Sequence, residues 1–324
     1  MLVTGASGFT GSCLSRKLLD KGFKVRILVR GTSDFKDLQG RGCEVVIGDL
    51  ATGDGVEESV RDINYVYHIA SVVRIEGVPE KYFWDVNVEG TRKLLDASLK
   101  FGVKRFIHCS TVGVQGEIQN PPAREDAPFR PDDHYQKSKL DGEKLALSYT
   151  KKGLGVVVFR PVGIYGPGDL RFLKLFRPVS KGRWFTVGRA DNLYHMTYID
   201  DLVDGILLCG TTEGIEGEVF TLAGETYGTV KELGLAIAGV LGRKVKIYHI
   251  PVAPVWIASY LCEKICRFLK IEPPLYRRRL DFFLKDRAFN ISKAKKMLGF
   301  SPMTSLEEGI RKTATWYRSK GMIE

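Results

Sequence analysis

The chain has 324 residues, 44% of them hydrophobic, enough apolar mass to bury a core without disulfide or metal staples. Charged residues at 27% and aromatics at 10% exclude a disordered, collagenous or coiled-coil chain. Lys and Arg outnumber Asp and Glu by 49 to 38, and the net charge of +11 favours anionic partners without choosing among cofactor phosphates, acidic membranes and nucleic acid.

In chain order, short β-branched runs at 2–3, 25–29, 44–47, 65–69, 105–109 and 155–159 predict strands. Helical patterns lie between them at 11–21, 54–61, 85–101 and 138–152. This alternation predicts parallel crossovers and an α/β fold, a Rossmann-type doubly wound parallel sheet whose ligands sit beyond the carboxyl ends of the strands. The second half is less regular: a helix at 172–176, a turn at 179–182, strands at 218–222 and 244–250, and helices at 230–241, 251–274 and 306–317. The expected division is a nucleotide-binding domain over 1–162, to which 193–224 returns, and a smaller mixed α/β lobe from 163–192 and 225–324.

Cys13, Cys43, Cys109, Cys209, Cys262 and Cys266 form no CxxC pair, which predicts reduced thiols in a reducing compartment. The opening Met-Leu-Val-Thr-Gly shows neither a basic nor an apolar leader region, and no apolar run reaches the roughly 18 residues of a spanning helix. A cytoplasmic protein is expected. His68, His108, His134, His195 and His249 have no HExxH or Cys/His spacing, so no metal site is predicted. His195 is a candidate pocket residue, and His134 reads as an exposed loop histidine.

Thr4-Gly5-Ala6-Ser7-Gly8-Phe9-Thr10-Gly11 follows an apolar strand and leads into a helix. Glycines at 5, 8 and 11 allow a tight turn and let a pyrophosphate approach the helix N-terminus. The second strand ends at Arg30, with no carboxylate before Asp34 to take a ribose hydroxyl. A guanidinium there pairs with a 2′-phosphate, so NADP(H) is preferred, with NAD(H) as the alternative. Asp49-Leu50, after the third strand, is placed to meet the adenine edge.

Tyr135 and Lys139 stand four residues apart, on one face of a helix. A lysine charge beside a phenol favours the phenolate and suits it to general acid–base work. Ser110-Thr111 ends a central strand and offers a hydroxyl to the same crevice.

These motifs, with His68-Ile69-Ala70-Ser71, Asn87-Val88-Glu89-Gly90-Thr91, Arg160-Pro161 and the run at 293–302, make the chain resemble an extended short-chain dehydrogenase/reductase over essentially its whole length. The resemblance implies that Thr111 is the catalytic hydroxyl, Tyr135 the acid/base and Lys139 its partner and a holder of the nicotinamide ribose. It implies cofactor contacts from Gly5, Ser7, Gly8, Phe9 and Thr10 of the loop. Ala70, Ser71 and Ser110 would line the cofactor, Asn87 would brace the sheet end, and Pro161, Gly163 and Ile164 would flank the nicotinamide. It also implies a homodimer through the helices at 85–101 and 138–152.

Two departures separate the chain from the nucleotide-sugar epimerases of that family. Tyr194 stands where those enzymes carry an Arg for the sugar-nucleotide pyrophosphate, and the usual Arg-x-x-Asp is out of register at 278–284. The stretch 251–270 instead resembles the 3β-hydroxysteroid dehydrogenase and dihydroflavonol reductase-like branch and the hopanoid-associated epimerase-like proteins. Its apolar Trp256, Ile257, Tyr260, Leu261, Ile265, Phe268 and Leu269 recur at helical spacing. Glu263, Lys264, Arg267 and Lys270 interleave them, and Arg277, Arg278 and Arg279 follow. Such a segment suits an anionic bilayer, a roof over an apolar pocket, or plain packing on the lobe.

The expected activity is hydride transfer between a nicotinamide cofactor and a ketone or secondary alcohol of an apolar, lipid-, sterol- or isoprenoid-like small molecule. The alternatives are a nucleotide-sugar epimerase or dehydratase and a non-catalytic NADP(H) sensor. No nucleic-acid partner is expected, and peripheral membrane contact through 251–279 is allowed by the charge pattern.

Overall fold

The computed structural model of the chain describes residues 1–73, 78–269, 271 and 276–324. The end of the expected 251–274 helix, with Lys270 and Pro274, lies outside the described residues, as do the side chains of Arg267 and Phe268.

The main sheet contains β1 (Leu2–Thr4), β2 (Arg26–Val29), β3 (Glu44–Ile47), β4 (Tyr65–His68), β5 (Arg105–Cys109), β6 (Gly155–Pro161) and a later strand, β10 (Val219–Leu222). Their order is β3-β2-β1-β4-β5-β6-β10, and every neighbouring pair is parallel. The reversal of strand order between β1 and β4 opens a crevice at the carboxyl ends, where such sheets bind ligands. Alternation along the strands covers both faces. Leu2, Leu28, Val66, Phe106 and Val156 pack on one side, and Val3, Ile27, Tyr67, Ile107 and Val157 on the other. The expected doubly wound sheet is present.

Helices α1 (Phe9–Asp20), α2 (Thr91–Lys100) and α3 (His134–Ser148) flank the sheet. All three depart from the expected spans, α1 by starting at Phe9 and ending at Asp20. The helix expected over 85–101 begins as a wider π turn, Asp85–Gly90, before α2. The helix expected from 138 begins at His134, because Asp133 caps it by accepting a hydrogen bond from the Gln136 N–H at 2.7 Å. That earlier start places Tyr135 inside the first turn.

Beyond the main sheet, β7 (Gly163–Tyr165), β9 (Leu193–Tyr198) and β11 (Tyr227–Thr229) form a small mixed sheet, and β8 (Arg183–Val187) pairs with β12 (Lys246–Ile250). Helix α4 (Ile199–Thr211) packs on α1 and β6. α4, β7, β8, β9 and β11 were not among the expected elements. The C-terminal part also holds helices α5 (Val230–Leu241), α6 (Val252–Leu269), α7 (Arg277–Leu284) and α8 (Leu306–Ser319), with shorter helices at Leu173–Ser180, which extends the one expected at 172–176 into the expected turn, and at Ser292–Leu298. Among the described residues, no helix is long and apolar enough to cross a membrane.

Candidate active site

The turn after β1 is built on two glycine contacts. Gly5 adopts φ +72°, and a Cβ there would lie 2.7 Å from the Ala70 backbone nitrogen. A Cβ on Gly11 would lie 2.2 Å from the Gly5 carbonyl oxygen. The chain therefore folds back tightly, and α1 starts after Gly8, its N-cap, with no side-chain cap, leaving its first N–H groups open to an anion. A cleft of about 480 Å³ opens at that point. Gly5, Ser7, Gly8, Phe9 and Thr10 line one side of it. Arg30, Asp49, Leu50, Ala70 and Ser71 also line it, so ten sequence-predicted residues share one cleft. A backbone cradle that a Cβ would fill, beside an uncapped helix start, fits a dinucleotide.

The end of the cleft at β2 is cationic. Arg30 is exposed at the end of β2, with Ser33 beside it, and Asp49 is the sole carboxylate among the described cleft residues. Asp49 Oδ1 is engaged locally, accepting the Ala51 N–H at 2.8 Å.

The remaining predicted residues lie outside this lining. Asn87 is buried one layer behind it: its Oδ1 accepts from Val72 N–H at 2.8 Å, and its Nδ2 donates to the Val72 carbonyl at 3.1 Å and to Ser138 Oγ at 3.0 Å. Asn87 thus ties the loop after β4 to α3. Ser110 follows β5, its N–H bonded to the Phe159 carbonyl at 2.8 Å, while its buried Oγ has no hydrogen-bond partner among the described residues. Thr111 Oγ1 accepts from Gly113 N–H at 3.1 Å and starts the short turn Val112–Gln115. Pro161 ends β6, and Gly163 and Ile164 open β7.

Tyr135 is half-buried and Lys139 fully so. Lys139 Nζ donates to the Cys109 carbonyl, at the end of β5 and just before Ser110 and Thr111. Burial lowers the Lys139 pKa, while Cys109 and Glu143 pull it back up. Beneath, a chain of hydrogen bonds runs in one direction. Ala70 N–H donates to Thr4 Oγ1 at 3.2 Å, leaving the Thr4 hydroxyl to donate to His68 Nδ1 at 2.8 Å. His68 Nε2 then donates to Thr91 Oγ1 at 2.9 Å, and Thr91 donates to the Asn87 carbonyl at 2.9 Å. The network assigns the neutral Nε2–H tautomer. Burial, and then the Lys139 charge, push His68 down to about 3 in agreement with it.

His195 does not face the cleft. It is buried, Nε2 donating to the Gly224 carbonyl at 2.9 Å and Nδ1 accepting from Phe289 N–H at 3.4 Å. His134 is paired with Glu80 at 2.8 Å on the surface. Arg171, which sequence reasoning missed, lines the cleft on the side of Phe9, its guanidinium 6.0 Å from that ring. Buried Asp169 holds Arg171 Nε at 2.6 Å, and Nη2 donates to the Ile164 carbonyl at 2.8 Å. Tyr82 and Val86 also enter the wall. No group of His, Cys, Asp and Glu able to hold a metal occurs among the described residues.

Residues 1–223 match the NAD dependent epimerase/dehydratase family. The chain belongs to that family. It is an oxidoreductase of the extended short-chain dehydrogenase/reductase type, close in sequence to the 3β-hydroxysteroid dehydrogenase-like branch. A decarboxylating sterol-4-alpha-carboxylate 3-dehydrogenase of Saccharomyces cerevisiae is 29% identical, covering 98% of this chain and 97% of its own. Sterol demethylase protein B of Methylococcus capsulatus is 28% identical, with 99% of each chain covered. The structure of a dTDP-glucose 4,6-dehydratase double mutant from Streptomyces venezuelae, with NAD bound, superposes with a TM-score of 0.77 at 25% identity, covering 99% of this family member and 98% of that one.

Proposed function

We propose that this enzyme transfers hydride between NADP(H) and a ketone or secondary alcohol on a sterol- or lipid-like substrate. The observation that carries the reading is the packing of Tyr194. Its ring lies over Gly163, where a Cβ would fall 2.8 Å from Cε1, and against Phe282 and Phe172 with ring centroids 4.9 and 6.4 Å away. An aromatic cluster stands where the sugar-nucleotide enzymes place a cation. Tyr194 itself brings no cation to a diphosphate, whereas its aromatic cluster suits an apolar ring system. The two sterol-converting relatives support the same substrate class.

When bound, the nicotinamide supplies or accepts the hydride. The chain does the rest. Thr111 and Tyr135 hydrogen-bond the substrate oxygen. In reduction the Tyr135 hydroxyl gives its proton to that oxygen as the carbonyl becomes an alcohol, and in oxidation it takes the proton back. Lys139, anchored on the Cys109 carbonyl, holds a positive charge on the same helix face. Arg30 pairs with the 2′-phosphate, and Arg171 adds a cation for the pyrophosphate beside the start of α1.

The test follows absorbance at 340 nm with NADPH or NADH, using sterol and β-keto lipid ketones against UDP- and dTDP-sugars. Stoichiometric loss of reduced cofactor with an apolar ketone is expected. Conversion of a sugar nucleotide with a flat trace would overturn the reading in favour of internal hydride return.

A further inference from the structure

The C-terminal part exposes a surface of a kind that folds facing only water avoid. On β8 and β12, Arg183 stands opposite Lys246, Phe185 opposite Tyr248 and Val187 opposite Ile250. Trp184 is buried, so Arg183 and Phe185 on either side of it face outward. The Phe185 and Tyr248 rings stack with centroids 5.2 Å apart and remain 42% and 37% exposed. Arg183 and Lys246 set two like charges on one rung, and neither has an ion-pair partner among the described residues. Lys246 Nζ lies 5.4 Å from the Tyr248 ring centroid, so the rung sets two cations beside an aromatic pair, an arrangement that attracts an anion.

From the exposed Ile250 the chain passes directly into α6. Ile257, Leu261, Ile265 and Leu269 recur every four residues along it, and each is more than half exposed. Trp256 extends the stripe. Lys264 is the sole charged residue among the exposed, described positions of the helix. Arg277, at the start of α7, lies over the Trp256 and Tyr260 rings at 5.7 and 5.1 Å.

We propose that β8, β12 and α6 form a docking surface for an anionic lipid bilayer. The aliphatic stripe of α6 enters the acyl boundary, with Trp256, Phe185 and Tyr248 at the headgroup level and Arg183, Lys246 and Lys264 against the phosphates. Charge chooses the bilayer over a second copy of the chain. The net charge is +11, and two copies joined by this face would oppose their own Arg183, Lys246 and Lys264, whereas anionic headgroups neutralise them. No described helix can cross the membrane, so the contact lies in its plane.

The experiment sediments the full chain with vesicles of phosphatidylcholine alone or mixed with phosphatidylglycerol, and follows tryptophan emission. Partition into the mixed vesicles is expected to exceed that into phosphatidylcholine by about tenfold or more. A blue shift in the wild type should vanish in Trp256→Phe. Leu261→Asp/Ile265→Asp should abolish binding, and Arg183→Glu/Lys246→Glu should remove the preference for anionic lipid. These positions are exposed, and unchanged circular dichroism and dinucleotide binding establish that each variant is folded. Failure of the wild type to sediment, or equal binding by Leu261→Asp/Ile265→Asp, would overturn the proposal. So would lipid-independent self-association that Leu261→Asp/Ile265→Asp removes, without vesicle binding by the wild type.

Discussion

Glu143 and Arg160 hold each other inside the protein, Arg160 Nε donating to Oε2 at 3.0 Å and Nη2 to Oε1 at 2.6 Å, with both side chains buried. Glu143 lies one helical turn beyond Lys139 on α3, and Arg160 lies near the end of β6. The pair therefore bolts the helix of Tyr135 and Lys139 to the strand beside β5, which leads to Ser110 and Thr111. Arg160 Nη1 also donates to the Glu125 carbonyl at 2.8 Å, and Glu125 Oε1 accepts the Thr221 N–H at 2.8 Å, so the brace reaches β10.

Removing one partner of such a pair strands a buried charge, a loss of about 3–5 kcal/mol. Glu143→Ala should lower the unfolding free energy by that amount in denaturant titrations. The double variant Glu143→Leu/Arg160→Met, which leaves no charge behind, should recover most of it. Equal destabilisation in both would show that packing, and not the stranded guanidinium, sets the loss.

Tyr135→Phe keeps the ring and removes the proton. Turnover of an apolar ketone should fall by about 10²–10⁴-fold. Cofactor affinity, read by quenching of protein fluorescence, should change little. Parallel loss of cofactor binding would count against an acid–base role.

The two cleft arginines should separate by selectivity. Losing a charge-assisted bond to the 2′-phosphate in Arg30→Ala should weaken NADPH by about 10- to 100-fold and spare NADH. Arg171→Ala should weaken both dinucleotides alike, because both carry the pyrophosphate. Calorimetric titration with each cofactor distinguishes the two patterns.

Acid should destabilise the protein through His68 and His108. Burial keeps both neutral, His68 down to about 3 and His108 lowered in the same sense, while the unfolded chain titrates near 6.5. Between those values the unfolded state binds more protons, so stability is complete above pH 6.5 and is lost as pH falls toward 3. At pH 5 the His68 imidazole contributes a loss of about 2 kcal/mol, and His108 adds to it in the same sense. Neither ring nitrogen of buried His108 has a hydrogen-bond partner among the described residues, so His108→Phe should fold and show a shallower loss. Urea midpoints at pH 7.5 and pH 5 for both proteins check this.

Much of the fold was legible because its signals are contiguous. Strands β3 and β5 fall at the expected bounds, and the glycine turn is one unbroken run from β1 to α1. α4 was not legible. It follows β9 without a break, and it carries Asp200, Asp201 and Asp204 on an otherwise apolar helix whose buried face only the neighbouring α1 and β6 reveal. Arg171 was not legible either. An arginine after Gly166-Pro167-Gly168-Asp169 becomes a cleft residue only when buried Asp169 turns it back toward Phe9.

Local chemistry in the chain was enough to determine the class of fold, the cradle of Gly5, Gly8 and Gly11, and the shared helix face of Tyr135 and Lys139. Each depends on turns, periods and caps that act over a few residues. The tertiary structure alone decided that His195 is bonded to the backbone of Gly224 and Phe289, that Asn87 joins the β4 loop to α3, and that Tyr194 closes an aromatic cluster with Phe172 and Phe282. These partners are far apart in sequence, and what a side chain does there is set by the strand or helix that folding packs against it.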